Sequence, residues 1–152
     1  MYETWDRKLR IKGHLSSDGA SFCPSCEPGS YAQYQTYGAT WQGIALPPDD
    51  QNIIKYIPTA AETGPRTYYD INLMAISNPS RYLLMADSYT TRFKSQYHIV
   101  QGNTGMDEIH MRHDNRANIL FADGHVDALD KDGLRDIGWT MAFDEKGTLI
   151  RF

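Results

Sequence analysis

Residues 112–129 read RHDNRANILFADGHVDAL. Histidines, aspartates and a glycine surround a short apolar run, and no other segment of the chain is as distinctive. Asp123-Gly124 lies between two alternating runs. That dipeptide favours a two-residue type I′ turn, because Asp tolerates and Gly freely accepts positive φ. A turn of that length sets the pairing. Ala122 faces His125, Phe121 faces Val126, Leu120 faces Asp127 and Ile119 faces Ala128. Directly opposed residues share a face. One face then carries Ile119, Phe121, Val126 and Ala128 and is assigned to the core. The other carries Asn118, Leu120, Ala122, His125, Asp127 and Leu129. Its leucines require a cover from another segment.

Working outward, the chain of 152 residues suffices for one domain, 1–152, with a modest core. Hydrophobic residues make up 41% and charged residues 22%, which suits a globular domain. Ten tyrosines, twelve glycines and seven prolines favour strands and turns over long helices. With a net charge of −4 and no basic cluster longer than DRKLRIK, nucleic acid is excluded as a partner. No apolar run reaches the ~18 residues that a membrane span needs.

The elements follow from periodicity and punctuation. Tyr2, Trp5 and Leu9 predict a short helix that stops at Gly13. The segment 31–41, YAQYQTYGATW, alternates like a strand. Asp49 or Asp50 is placed as the cap of a short helix holding Ile53, Ile54 and Ile57. RTYYDINLMAI (66–76) and RYLLMADS (81–88) read as strands, and HIV (98–100) and IHM (109–111) as short ones. DKDGLRDIGW (130–139) predicts a helical turn or two. In MAFDEKGTLIRF (141–152), Glu145-Lys146-Gly147 turns one strand into the next. The fold class is α+β: an antiparallel sheet with a β-hairpin at 117–129, short helices and long ordered loops.

His113, nine residues, then Asp123-Gly124 resembles the signature of the prepilin-type His-x9-Asp-Gly proteins, a pseudopilin-like family. Other pieces are similar in the same order. TWDRKL resembles the family's Trp-containing segment and FCPSCEPGSYAQY its Cys-Pro loop. NPSRYLLMADS resembles its apolar strand ending in Ala-Asp-Ser. The resemblance runs from about Trp5 to Leu129. Such proteins usually begin with a prepilin cleavage segment and a long apolar helix. Residues upstream of Met1 are expected to supply them.

The resemblance implies a non-enzymatic head domain in a type II secretion or type IV pilus-like assembly. Its partners would be other pilin-like subunits or secretion-apparatus proteins. It would be periplasmic or at the cell surface, and would touch the inner membrane only through the N-terminal helix. The alternative is a secreted domain on a pilin-like stem that binds glycan or another surface polymer through Tyr31, Tyr34, Tyr37 and Trp41. Aromatic faces stack on sugars, although core packing explains the same residues. A third reading, a metal-dependent hydrolase, requires His113, Asp123 and His125 to converge in one cleft.

His113, His125, Asp123, Asp127 and Asp87 together offer donors that suit a transition metal. The simpler assignment is structural. Asp123 bonds its own turn, and His113 bonds backbone or a neighbour near the hairpin. Asp87, His113, Asp123, Gly124 and His125 are thus motif residues, with no metal and no catalytic residue expected. His110 and His113 alternate faces of an extended segment, which separates them. Cys23 and Cys26 form a lone C-x-x-C, without the second pair that a zinc knuckle needs. In an exported protein they are a disulfide candidate, or else two packed thiols. Asp130, Asp132 and Asp136 are calcium candidates, because pseudopilins as a class can hold calcium in a C-terminal loop. The segment lacks the EF-hand pattern, and a solvated acidic turn explains it equally.

Overall fold

The computed structural model describes residues 9, 11–14, 23–25, 37–40, 54–59 and 66–152, with 54–59 and 66–70 as backbone only. These residues form a mixed α+β fold dominated by strands. Among them, eleven strands run in chain order: β1 Gly38–Thr40, β2 Ile54–Thr59, β3 Arg66–Ile71, β4 Leu83–Ala86, β5 Ser88–Thr90, β6 Ile99–Val100, β7 Asp107–Ile109, β8 Ala117–Phe121, β9 Val126–Leu129, β10 Met141–Phe143 and β11 Leu149–Arg151. The central sheet has the order β6-β1-β4-β8-β9, and two-stranded ribbons join β2-β3, β5-β7 and β10-β11. The expected antiparallel pairing holds except at one edge, where β1 and β6 run parallel.

The hairpin is present, with a register one residue from that expected. Ala117 pairs Leu129, Asn118 pairs Ala128, Ile119 pairs Asp127 and Leu120 pairs Val126. The loop holds three residues, because Phe121 N–H donates to His125 O at 3.0 Å and Gly124 N–H donates to Phe121 O at 3.0 Å. Gly124 has φ +91, whereas Asp123 is not in the positive-φ region. This is a turn closed by a left-handed glycine, not the type I′ turn. A slip of one residue exchanges the faces of one strand. Ile119 and Phe121 stay in the core as expected. Val126 turns out to solvent at 64% exposure, and Leu129 packs against the core in its place.

A type I′ turn does occur, nine residues earlier. Asp114 and Asn115 have φ of 52 and 55. His113 N–H donates to Arg116 O, and Arg116 N–H to His113 O, both at 3.0 Å. Asp and Asn visit the left-handed region more readily than other side chains that carry a Cβ.

The expected helix around Ile54 and Ile57 is instead β2, paired in register with β3 from Ile54–Ile71 to Thr59–Arg66. IKYIPT is rich in β-branched and aromatic residues, and Pro58 cannot donate a helical hydrogen bond. The apolar spacing is compatible with a helix, but this composition suits a two-stranded ribbon. Of 66–76, only Arg66–Ile71 is a strand. Asn72 then caps a 3-10 turn, Leu73–Ala75, by accepting from Met74 N–H. RYLLMADS divides at Asp87 into β4 and β5.

Several expectations hold. Leu9 and Ile11 are helical, Gly13 has φ +76, and His14 N–H reaches back to Leu9 O at 2.8 Å. That long bond over a left-handed glycine is a Schellman-type stop. A helix spans Lys131–Asp136, and β10 pairs with β11 around the Glu145–Gly147 turn.

The core lies between the central sheet and the C-terminal elements. Ile119, Ile109, Leu134, Trp139 and Ala142 belong to one buried cluster. Fully burying a side chain such as Leu134 stabilises by about 1.5–3 kcal/mol. A smaller cluster joins Ile76 and Tyr82, with Ala75, Leu84 and Ala122 packed on it; of the two leucines expected to need a cover, Leu129 packs on the main core instead. Gly38 allows β1 to approach β6, since a Cβ there would lie 2.4 Å from Val100 Cγ2.

Candidate functional site

The interruption of the strand between β4 and β5 places Asp87 in the interior, where it is fully buried. Its backbone and side chain both bond to β8. Asp87 N–H donates to Asn118 O at 3.1 Å, and Asn118 N–H donates to Asp87 Oδ2 at 2.8 Å. Asp87 O accepts from His110 N–H at 2.9 Å. Ser88, next in the chain, is equally engaged. Its hydroxyl donates to Tyr97 O, and its carbonyl accepts from the Arg112 guanidinium.

The Asp114-Asn115 turn sets His113 opposite Asp87, with Nε2 3.3 Å from Asp87 Oδ2. The same nitrogen lies 3.4 Å from Cys23 Sγ. The Cys23 thiol is free and buried. Its backbone N–H donates to Gln96 Oε1 at 3.1 Å, and that oxygen also accepts from Arg112 at 2.7 Å. Arg112 Nε faces Asp87 Oδ1 at 3.9 Å. Among the described residues, Cys23, Asp87 and His113 form the group whose donor atoms all come within 4.8 Å of one another. Tyr37 borders it. Burial raises the pKa of its hydroxyl first, and the acidic groups of Cys23 and Asp87 raise it further.

The His-x9-Asp-Gly motif therefore divides. His113 joins the buried cluster, whereas Asp123, Gly124 and His125 stay at the exposed turn. Asp123 Oδ1 accepts from His125 N–H at 3.1 Å and meets His125 Nδ1 at 2.5 Å. These bonds hold the Asp123 carboxyl below its usual range, the backbone bond most of all. The His125 ring stacks on Phe121, with centroids 4.3 Å apart. The turn is fixed from below as well, because Ala122 N–H donates to Tyr82 O at 2.9 Å. The trio of His113, Asp123 and His125 that a hydrolase would need is not brought together, and Asp127 joins neither group.

The calcium candidates act separately. Asp130 caps the helix, accepting from Asp132 and Gly133 N–H at 3.1 and 3.0 Å. Asp132 pairs with Arg135 at 2.9 Å. Cys26, Tyr31, Tyr34 and Trp41 lie outside the described residues, and with them the expected disulfide and the aromatic row. Sequence reasoning reaches only half of the cluster. It groups Asp87 with His113 among possible metal donors, together with Asp123, His125 and Asp127, which lie elsewhere, and it assigns Cys23 to a separate feature. Gln96 and Arg112, which tie the cluster together, carry no sequence signal beyond the Arg-His pair.

Another buried acid organises a loop. Glu108 accepts backbone N–H bonds from Asn103 at 3.0 Å and from Thr104 and Gly105 at 2.6 Å. Burial raises its pKa despite these bonds, which act in the opposite direction. The donors wrap the carboxylate from the loop before β7, so its role is internal.

No helix among the described residues is long and apolar enough to cross a membrane. In comparisons with known proteins, the chain matches no family model, no curated protein and no solved structure.

Proposed function

We propose that the chain is the head domain of a pseudopilin-like protein, serving a type II secretion or type IV pilus-like assembly as a structural subunit. One observation carries this reading. The segments that resemble the family, namely the Cys-Pro loop, the Ala-Asp-Ser strand end and the His-x9-Asp-Gly hairpin, meet through Cys23, Asp87 and His113. Motif residues far apart in sequence thereby share one architectural role, which is to fasten a loop to the central sheet beside a conformationally demanding turn. Asp123 and Gly124 serve the adjacent turn in the same way. Each residue is occupied in holding the fold, which fits a head that presents surface to other subunits and performs no turnover.

The test is genetic and biochemical. The native gene, tagged at the C-terminus, is expressed in its host with and without the prepilin peptidase. The reading predicts an envelope-associated product that becomes larger and fails to assemble when the peptidase is deleted. Unchanged size and location in the deletion strain contradict it.

A further inference from the structure

The structure assigns a transition-metal site to Cys23, Asp87 and His113, and we propose a divalent ion of the zinc class as its ligand. This goes beyond the pilin-like reading and does not depend on it.

The donor spacing is the first argument. Nε2 lies 3.4 Å from the sulfur and 3.3 Å from the carboxylate oxygen. With Zn–S near ~2.3 Å and Zn–N and Zn–O near ~2.0–2.1 Å, the edges of a tetrahedral site come to roughly 3.5 and 3.3 Å. Both edges at the imidazole thus match, and the sulfur–carboxylate edge lies within 4.8 Å.

The second argument is the identity of the nitrogen. A nucleophile–base–orienter triad uses the two ring nitrogens for its two neighbours. Here Nε2 alone faces both sulfur and carboxylate. One N–H reaches both only as a three-centre bond, weaker to each partner. A cation placed between them takes the imidazole lone pair, the thiolate and the carboxylate together. The fully buried Asp87 Oδ1 makes no hydrogen bond among the described residues and faces Arg112 Nε at 3.9 Å, which leaves Oδ2 as the oxygen turned to the imidazole.

Third, the outer contacts resemble those that orient metal ligands. Asn118 N–H holds Asp87 Oδ2, and Gln96 holds the Cys23 backbone. Fourth, the cluster is not wholly sealed, since Cys23 and Asp87 are buried whereas the His113 side chain is 33% exposed. Three protein ligands leave the fourth tetrahedral position to water. Mixed sulfur, nitrogen and oxygen donors select zinc over calcium or magnesium, which take oxygen. Binding converts the Cys23 thiol to thiolate and releases its proton to solvent, so affinity falls with acidity. A disulfide at Cys23 and the metal exclude one another.

The experiment uses the tag-free chain, reduced, stripped with chelator and titrated with zinc or cobalt(II). One ion per chain is expected. Cobalt should give tetrahedral d–d absorption and a thiolate charge-transfer band that Cys23→Ser removes and Cys26→Ser retains. His113→Ala and Asp87→Asn should each weaken zinc binding at least ~10-fold. Because Asp87 is buried and its replacement endangers the fold, alkylation of the wild type supplies an independent readout. Zinc should slow iodoacetamide labelling of Cys23 at least ~10-fold, reversed by chelator. No retained ion, a charge-transfer band that persists in Cys23→Ser, or equal labelling with and without zinc overturns the assignment.

Discussion

His110 shows how one buried side chain couples this fold to pH. Its residue is 7% exposed and its ring packs on Tyr89, with centroids 5.0 Å apart. Burial, and then the nearby Arg112 guanidinium, push its pKa down from 6.5 to about 4. The unfolded chain therefore takes up a proton at His110 before the native one does. The native state loses stability as pH falls from 6.5 toward 4, by about 3 kcal/mol at full effect. Asp107 and Glu108 act in the opposite sense in acid, since burial raises both carboxyls. A variant isolates the histidine. In urea unfolding with chelator present, His110→Phe should show a shallower loss of stability across that pH window than wild type. Parallel pH profiles for the two proteins would show that His110 is not the responsible group.

At the scale of elements, the hairpin separates what sequence can specify from what it cannot. That two strands meet at Asp123-Gly124 is legible, because alternation and turn chemistry agree there. The register is not. Two-residue and three-residue loops both accommodate Asp-Gly, and the choice rests on contacts from Pro79 and Tyr82 carbonyls to the turn. β2 reads as a helix in the sequence because isoleucines three and four apart fit the helical period, whereas residues three apart lie on opposite faces of a strand. The Schellman stop at Gly13 and the helix after Asp130 are legible because their signals are local. Gly124 now has a definite prediction. A Cβ there meets nothing within 4 Å, so the cost of substitution is backbone strain at φ +91. Gly124→Val should destabilise by roughly 1–2 kcal/mol in thermal or denaturant unfolding. A melting temperature equal to wild type would refute the turn geometry.

For the molecule as a whole, residues that look like chemistry in the sequence mostly hold parts together. Asp87 is legible as a motif residue and His113 as a structural one. Their meeting with Cys23 is not, since a contact 90 residues apart leaves no trace in periodicity or spacing. Arg112 and Gln96 then extend the cluster, so that loop, sheet and turn share one set of polar bonds. The central claim is that Asp87 and His113 act as a unit in the fold, and a double-mutant cycle measures it most directly. Wild type, Asp87→Asn, His113→Ala and the double variant are unfolded in urea with chelator present. Contacting residues in one polar network couple by about 0.5–3 kcal/mol. The predicted result is a coupling in that range, with the double variant less destabilised than the sum of the singles. Additivity within about 0.3 kcal/mol would contradict it.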